Sequence, residues 1–166
     1  MKKFLAFVFV GLIVCSGAWA AQVTINATAS QVLSVATANA TWSVTLDNTG
    51  KAVVSPVDNL TVKSSKHAYT VTFSSTDAGK LKMTSGTESY YIPYLIKVDT
   101  TGWGSGVSTN NLSDYVQLDT GKTIVFSART PVAGKSFPIG FKINEYADYY
   151  ENGLYSATLT IGISAN

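Results

Sequence analysis

The sequence predicts an all-β protein built as an antiparallel sandwich. Three observations predict this fold class. Apolar residues recur with period two along nearly the whole chain, short turn sequences separate the runs, and no stretch with helical spacing lies between them. Many short strands without intervening helices are typical of a sandwich, in which each strand buries one face.

The chain opens with the layout of a secretory signal peptide. Lys2 and Lys3 precede an apolar run over residues 4–14, and Ala18-Trp19-Ala20 forms a small-residue cleavage site. We expect cleavage after Ala20, which makes residues 1–20 the signal peptide. The apolar run is shorter than the roughly 20 residues of a spanning helix, so no permanent membrane span is expected. Lipidation at Cys15 is a minor alternative, because Val14 stands where lipoproteins have a small residue.

The predicted mature chain is neutral and has no cysteine. Removing 20 of 166 residues leaves 146, which suits one domain, and removing two of the 12 basic residues leaves 10 against 10 acidic ones. A neutral surface without a basic block argues against nucleic acid as a partner. Cys15 is the single cysteine and leaves with the signal peptide, so stability is expected from core packing and sheet pairing.

Two different patterns follow the cleavage site. Val23, Ile25, Ala27 and Ala29 alternate with polar residues, and the alternation then breaks where Val32 and Leu33 become adjacent. We therefore expect a separate N-terminal segment over residues 21–30 and one sandwich domain over residues 31–166, whose own first strand begins in residues 32–35.

The later runs predict the remaining strands. Alternation predicts strands over residues 41–46, 69–74, 90–98, 124–128 and 137–143, with Pro93 marking a bulge or an edge. The last strand is the clearest, and its apolar face consists of Tyr155, Ala157, Leu159, Ile161 and Ile163. Turn sequences such as "DNTGK", "TDAGK", "DTGK" and "ENG" separate these runs.

No group of residues predicts catalysis, a metal site or a cofactor. His67 is the only histidine and, before a strand, is expected to be a solvated loop residue. The "GWGSG" stretch places Ser105 one position too late for a nucleophile elbow. We therefore expect that the protein is not an enzyme and carries no cofactor.

Aromatic loops leave a second function open. The stretch "NEYADYYENG" brings Tyr146, Tyr149 and Tyr150 close to three carboxylates, and Trp103 lies in a glycine-rich turn. Such residues could bind a sugar by stacking and hydrogen bonding, or a calcium ion through the carboxylate oxygens. The simpler interpretation is a solvated loop whose tyrosines cover one end of the sandwich. A self-contained secreted binding module, for carbohydrate or another surface ligand, is therefore the alternative function.

Four segments, in order, resemble the spore coat protein U family, which includes secreted pilin subunits of archaic chaperone-usher pili. They are "LTVKSSKHAYTVTFSSTDAGKLKM", "SYYIPYLIKVDTTGWGSG", "FSARTPVAGKSFP" and "ENGLYSATLTIGIS". Family members commonly carry a cysteine pair, where this chain has Val32, Leu33, Ser64 and Ser65, so the resemblance implies no disulfide. Residues 139–151 look like an insertion, interpreted as an added hairpin.

The resemblance implies an immunoglobulin-like sandwich that lacks a strand and is completed by a donor strand. It further implies a structural subunit of a surface pilus or fimbria, supporting adhesion or biofilm formation, secreted through the periplasm. Its partners would be other pilus subunits, a periplasmic chaperone and an outer-membrane usher. On this interpretation Val23, Ile25, Ala27 and Ala29 enter a groove in another copy, and the apolar face of the last strand lines that groove.

Overall fold

The computed structural model describes residues 26–166, and residues 31–166 form a compact unit. The predicted signal peptide and two donor-strand residues, Val23 and Ile25, lie outside the described residues. The fold class is confirmed: the unit is nearly all β, with antiparallel sheets in a sandwich-like arrangement.

Eleven strands follow one another within the described residues. They are β1 (Leu33–Thr37), β2 (Val53–Ser64), β3 (Tyr69–Ser75), β4 (Lys80–Ser85), β5 (Glu88–Pro93), β6 (Leu95–Val98), β7 (Val107–Asn110), β8 (Val116–Gln117), β9 (Lys122–Phe126), β10 (Lys135–Ile143) and β11 (Leu159–Ala165). Two short 3-10 helices, Thr76–Ala78 and Thr101–Gly106, lie between strands.

The strands form two main sheets and one hairpin. The five-stranded sheet has the order β1-β2-β10-β6-β8, and the four-stranded sheet has the order β11-β3-β9-β7. Strands β4 and β5 pair with each other. Pro93 ends β5, and Ile96 of the next strand pairs within the five-stranded sheet, so the predicted 90–98 strand is divided at the proline.

The core lies between the two main sheets because alternate residues of each strand point inward. From the five-stranded sheet, Leu60, Phe137 and Ile139 are at most 1% exposed, and Phe73 and Ile124 of the four-stranded sheet are fully buried. The intervening positions are more exposed, and most of them are polar, as the period-two pattern predicts.

Strands β1 and β2 are joined where the resemblance would place a disulfide. Leu33 pairs with Ser64, and the Ser65 N–H donates a 2.9 Å hydrogen bond to the Val32 carbonyl. The Val32 N–H donates in turn to the Ser65 hydroxyl, also at 2.9 Å. Hydrogen bonds thus hold the start of β1 in this chain.

Three predictions about individual segments are corrected. Residues 41–46 alternate between half-buried and exposed positions, yet they belong to no strand of the described chain, because their backbone has no pairing partner there. The predicted hairpin in residues 139–151 is wrong, since Ile139–Ile143 belong to β10 and residues 144–151 contain no strand. Strand β11 begins at Leu159, so Tyr155 and Ala157 precede it.

Candidate functional site

One side of the sandwich is open. Strand β1 is the outermost strand of the five-stranded sheet, and β11 is the outermost strand of the four-stranded sheet. The two strands lie close together without pairing, and a hollow of about 200 Å³ separates them. It is lined by Val35, Ala36, Thr37, Leu159 and Ile161. We call the side bordered by β1 and β11 the open side.

The inward side chains of both bordering strands are only half-buried. Leu33 and Val35 of β1 and Leu159, Ile161 and Ile163 of β11 pack against the core without being covered by it. In the central strands the equivalent inward positions are almost completely buried. The apolar residues of the open side therefore keep surface that a further strand could cover.

The opposite side of the sandwich is closed by the chain itself. There the outer strands are β7 and β8, and the connection between them folds over the core. Leu112 is fully buried and Leu118 is 1% exposed. The Val98 N–H donates to the Leu112 carbonyl at 2.8 Å, and the Asn111 N–H donates to the Thr123 carbonyl at 3.1 Å. Among the described residues, the core is therefore better covered at this side, where Leu112 and Leu118 are buried, than at the open side.

The edges of the open side carry no charge. Residues 21–46 and residues 152–166 contain no Asp, Glu, Lys, Arg or His. Natural proteins usually protect exposed strand edges with charged residues or proline. The β4–β5 hairpin follows that rule, with Lys80, Lys82, Glu88 and Pro93. The open side lacks this protection.

The candidate groove residues form one continuous row. Tyr155 and Ala157 extend the half-buried face of β11 toward the preceding loop and pack against the core. The Tyr155 hydroxyl donates to the Glu151 carbonyl at 3.0 Å. Ser156, whose side chain points the other way, forms an isolated bridge with Lys82. The structure therefore places all five predicted groove residues on one face.

The candidate donor segment is described only in part. Ala27 and Ala29 are exposed and lie in no regular secondary structure. Val23 and Ile25 lie outside the described residues. The role of this segment stays a prediction.

The aromatic residues of the alternative function occupy different environments. Trp103 is half-buried, with ring centroids 5.3 Å from Phe126 and 5.6 Å from Phe137, so it packs on the core. Tyr146 and Tyr150 are half-buried and pack against each other at 4.6 Å. Tyr149 is 84% exposed. The three predicted tyrosines therefore do not form one exposed stacking surface.

Sequence reasoning missed an important carboxylate beside the open side. Asp58 is only 9% exposed, and its carboxylate accepts hydrogen bonds from the Trp42 indole and from the N–H groups of Ala38, Asn39 and Asn59, at 2.7 to 3.1 Å. Burial by itself raises the pKa of this carboxyl, but these four hydrogen bonds outweigh it, and the pKa lies below its ordinary value. The sequence contains the information that would have found it. Asp58 lies two and four positions before Leu60 and Val62 in the same strand, so its side chain points inward as theirs do.

Other polar features point to no ligand chemistry. Within residues 26–166, no three His, Cys, Asp or Glu side chains lie together as metal ligands, and no helix is long and apolar enough to cross a membrane. His67 is exposed between β2 and β3, as predicted. Burial raises the pKa of the Tyr69 phenol far above its ordinary range, and that hydroxyl has no hydrogen-bond partner among the described residues.

Comparison with known proteins adds no relative. No protein-family model matches the chain, and no curated protein matches it. The resemblance to the spore coat protein U family therefore stays a prediction that rests on the sequence segments quoted above.

Proposed function

We propose that the protein is a structural subunit of a surface pilus or fimbria, assembled by chaperone-usher donor-strand exchange. In each step the N-terminal segment of one copy, with Val23, Ile25, Ala27 and Ala29 facing inward, enters the open side of the next copy. The resulting fibre supports adhesion or biofilm formation. The subunit is exported through the periplasm to the cell surface.

The observation that carries this proposal is the uncharged open side between β1 and β11. Strands β1 and β11 approach within 8 Å of each other, so they would separate to the roughly 10 Å of two strand spacings as a strand enters. That strand would then have a sheet edge on each flank for backbone hydrogen bonds. Its inward side chains would cover the half-buried residues Val35, Leu159 and Ile161. An alternating apolar segment of the kind found at residues 23–29 fits that requirement, because only one of its faces is apolar.

The same feature explains why the subunit would need partners before assembly. Two unprotected strand edges and uncovered apolar side chains make a free subunit prone to edge-to-edge aggregation. A periplasmic chaperone that lends a strand to the open side would prevent this. An outer-membrane usher would then exchange that strand for the N-terminal segment of the next subunit.

Deleting residues 21–30 from the mature chain tests the proposal. We expect the truncated chain, coexpressed with its chaperone, to form no fibres in electron microscopy or sedimentation. A self-contained binding module would stay monomeric with or without this segment. Fibre formation by the truncated chain would contradict the proposal.

A matched pair of substitutions refines the test within the full-length mature chain. Ile25→Asp places a carboxylate on the apolar face of the donor segment, and burying it without a partner costs several kcal/mol. Thr24→Asp adds the same charge on the polar face. We expect Ile25→Asp to abolish assembly and Thr24→Asp to preserve it. Equal assembly of the two variants would show that this face does not enter a groove.

A further inference from the structure

Residues 41–47, which follow β1, form an extended segment whose backbone makes no hydrogen bonds among the described residues. Trp42, Val44 and Leu46 are half-buried against the core, while the residues between them are exposed. This is the alternation of a strand. Yet no backbone N–H or C=O of residues 41–47 hydrogen bonds to another residue within the described part of the chain. Strand-like backbone beside a core is normally paired.

Both ends of this segment are fixed. At its start, Asp58 of β2 accepts hydrogen bonds from the N–H groups of Ala38 and Asn39, at 3.1 and 2.9 Å, and from the Trp42 indole at 2.8 Å. At its end, the Asn48 side chain donates to the Tyr150 carbonyl at 2.9 Å and accepts from the Tyr150 N–H at 3.2 Å. The segment is therefore held in place while its middle remains unpaired.

The segment continues the chain of β1, the strand that borders the open side. It leaves β1, whose edge borders the hollow, and its far end is fixed to Tyr150, five residues before the half-buried row that begins at Tyr155. Residues 38–46 contain no charged residue, and Asp47 stands at the end of the segment.

The donor segment, as an extended strand, is longer than the edge of β1 with which it would pair. Residues 21–29 in a strand span roughly 30 Å at about 3.3 Å per residue, whereas the five residues of β1 span about 16 Å. Part of an incoming strand would therefore lie beyond β1, and residues 41–47 are the next extended backbone along the chain.

We propose that residues 41–47 become a strand on assembly by pairing with residues 21–29 of a second copy, and that Asp58 is the positioning residue that holds them ready. This inference rests on the proposed function and adds a second pairing edge to it. The incoming strand would then be hydrogen-bonded to β11 on one flank and to β1 followed by residues 41–47 on the other.

Amide hydrogen exchange tests the pairing. The probe is a synthetic peptide of residues 21–32, added to the full mature chain carrying Ile25→Asp so that its own N-terminal segment cannot compete. We expect slower exchange in β11 and at alternate amides of residues 41–47, since every second N–H of a strand points to the same neighbour. Slower exchange in β11 alone would overturn this inference and leave the proposed function standing. No change in β11 would instead contradict the proposed function.

Two substitutions test the positioning role. Asp58→Asn removes the charge that binds the segment, and Trp42→Phe removes only the indole N–H while keeping an aromatic ring. Asp99→Asn is the matched control, because Asp99 makes the same kind of carboxylate hydrogen bonds to Thr101 in the Thr100–Thr101 turn.

We expect Asp58→Asn to weaken peptide binding by roughly tenfold or more, since hydrogen bonds to a charged group are the strong ones. Trp42→Phe should weaken it less, and Asp99→Asn should leave it unchanged. The peptide-induced protection should fall in residues 41–47 and persist in β11, which a general loss of stability would not produce. If Asp58→Asn fails to fold, Trp42→Phe carries the test. The positioning role of Asp58 would be overturned if the Asp58→Asn and Trp42→Phe chains bound the peptide as tightly as the Asp99→Asn chain and showed the same protection of their amides from exchange.

Discussion

The Trp42 indole N–H donates a 2.8 Å hydrogen bond to the Asp58 carboxylate, across 16 positions of the chain. Asp58 lies in β2 next to a bulge, where Ile139 pairs with Asp58 and Gly140 pairs with Pro56, so that Val57 is the extra residue. The bulge thus lies beside the carboxylate that holds the chain leaving β1. This contact ties the chain that leaves β1 to β2, the second strand of the five-stranded sheet.

The Asp58 contact predicts a specific acid sensitivity. The pKa of Asp58 is lower in the folded chain than its ordinary value, so its stabilising effect is present above about pH 4 and is lost as the pH falls through the folded pKa. We expect the mature chain to be more stable than its Asp58→Asn variant at pH 7, with a difference that shrinks as the pH falls below about 4 and through the lowered pKa of Asp58. Urea unfolding at a series of pH values measures this difference. A stability difference independent of pH would show that the ionised Asp58 carboxylate is not its source.

Trp103 is predicted to be a core residue and not a ligand platform. Its ring packs against Phe126 and Phe137, so Trp103→Ala should lower the free energy of unfolding by about 3 kcal/mol. Tyr149→Ala, at a position that is 84% exposed, should change it by less than about 0.5 kcal/mol. Thermal or urea unfolding of both variants provides the comparison. Equal small effects would mean that Trp103 is free to bind a ligand.

Ile161 should contribute to binding of the incoming strand. Ile161→Ala removes three carbon groups, each worth about 0.8 kcal/mol when buried, and about half of that burial is expected only on docking. The peptide of residues 21–32 should therefore bind roughly sevenfold more weakly. Thr160→Ala, on the exposed face of β11, serves as the control. Isothermal titration measures the affinity of both variants for the peptide. Equal affinities would show that the peptide does not bind against Ile161.

The fold class could be predicted from the sequence because period-two alternation reports which face of a strand is buried. It located β3, β10 and the apolar face leading into β11 correctly, and it placed β9 two residues too late, since that strand ends at Phe126 and excludes Ala128. The same signal failed at residues 41–46, where side chains alternate but the backbone has no partner among the described residues. Alternation describes the environment of side chains, and pairing depends on whether a neighbouring strand is present.

The open side could not be predicted from periodicity. Leu159 and Ile161 alternate just as the fully buried Val71 and Phe73 of β3 do, and only the extent of burial separates the two pairs. That extent depends on the sheet order, which places β11 at an edge. Asp58 was within reach of the sequence, because a carboxylate in register with Leu60 and Val62 must face inward and therefore requires donors.

Disulfide trapping between two copies shows whether residues 23–29 of one copy enter the open side of the next. Residues 21–166, the predicted mature chain, contain no cysteine, so any disulfide formed must involve the introduced cysteines. One copy carries a cysteine in place of Val23 or Ile25, and a second, differently tagged copy carries one in place of Leu159 or Ile161. Thr24→Cys, on the opposite face of the donor segment, is the control.

Assembly followed by mild oxidation is then analysed on a non-reducing gel. If residues 23–29 of one copy fill the open side of the next, at least one pairing gives a dimer that contains both tags, and Thr24→Cys gives far less. Donor-strand exchange between copies would be contradicted if no pairing gave a mixed dimer. It would also be contradicted if, with both cysteines in the same copy, the crosslink formed only within that chain.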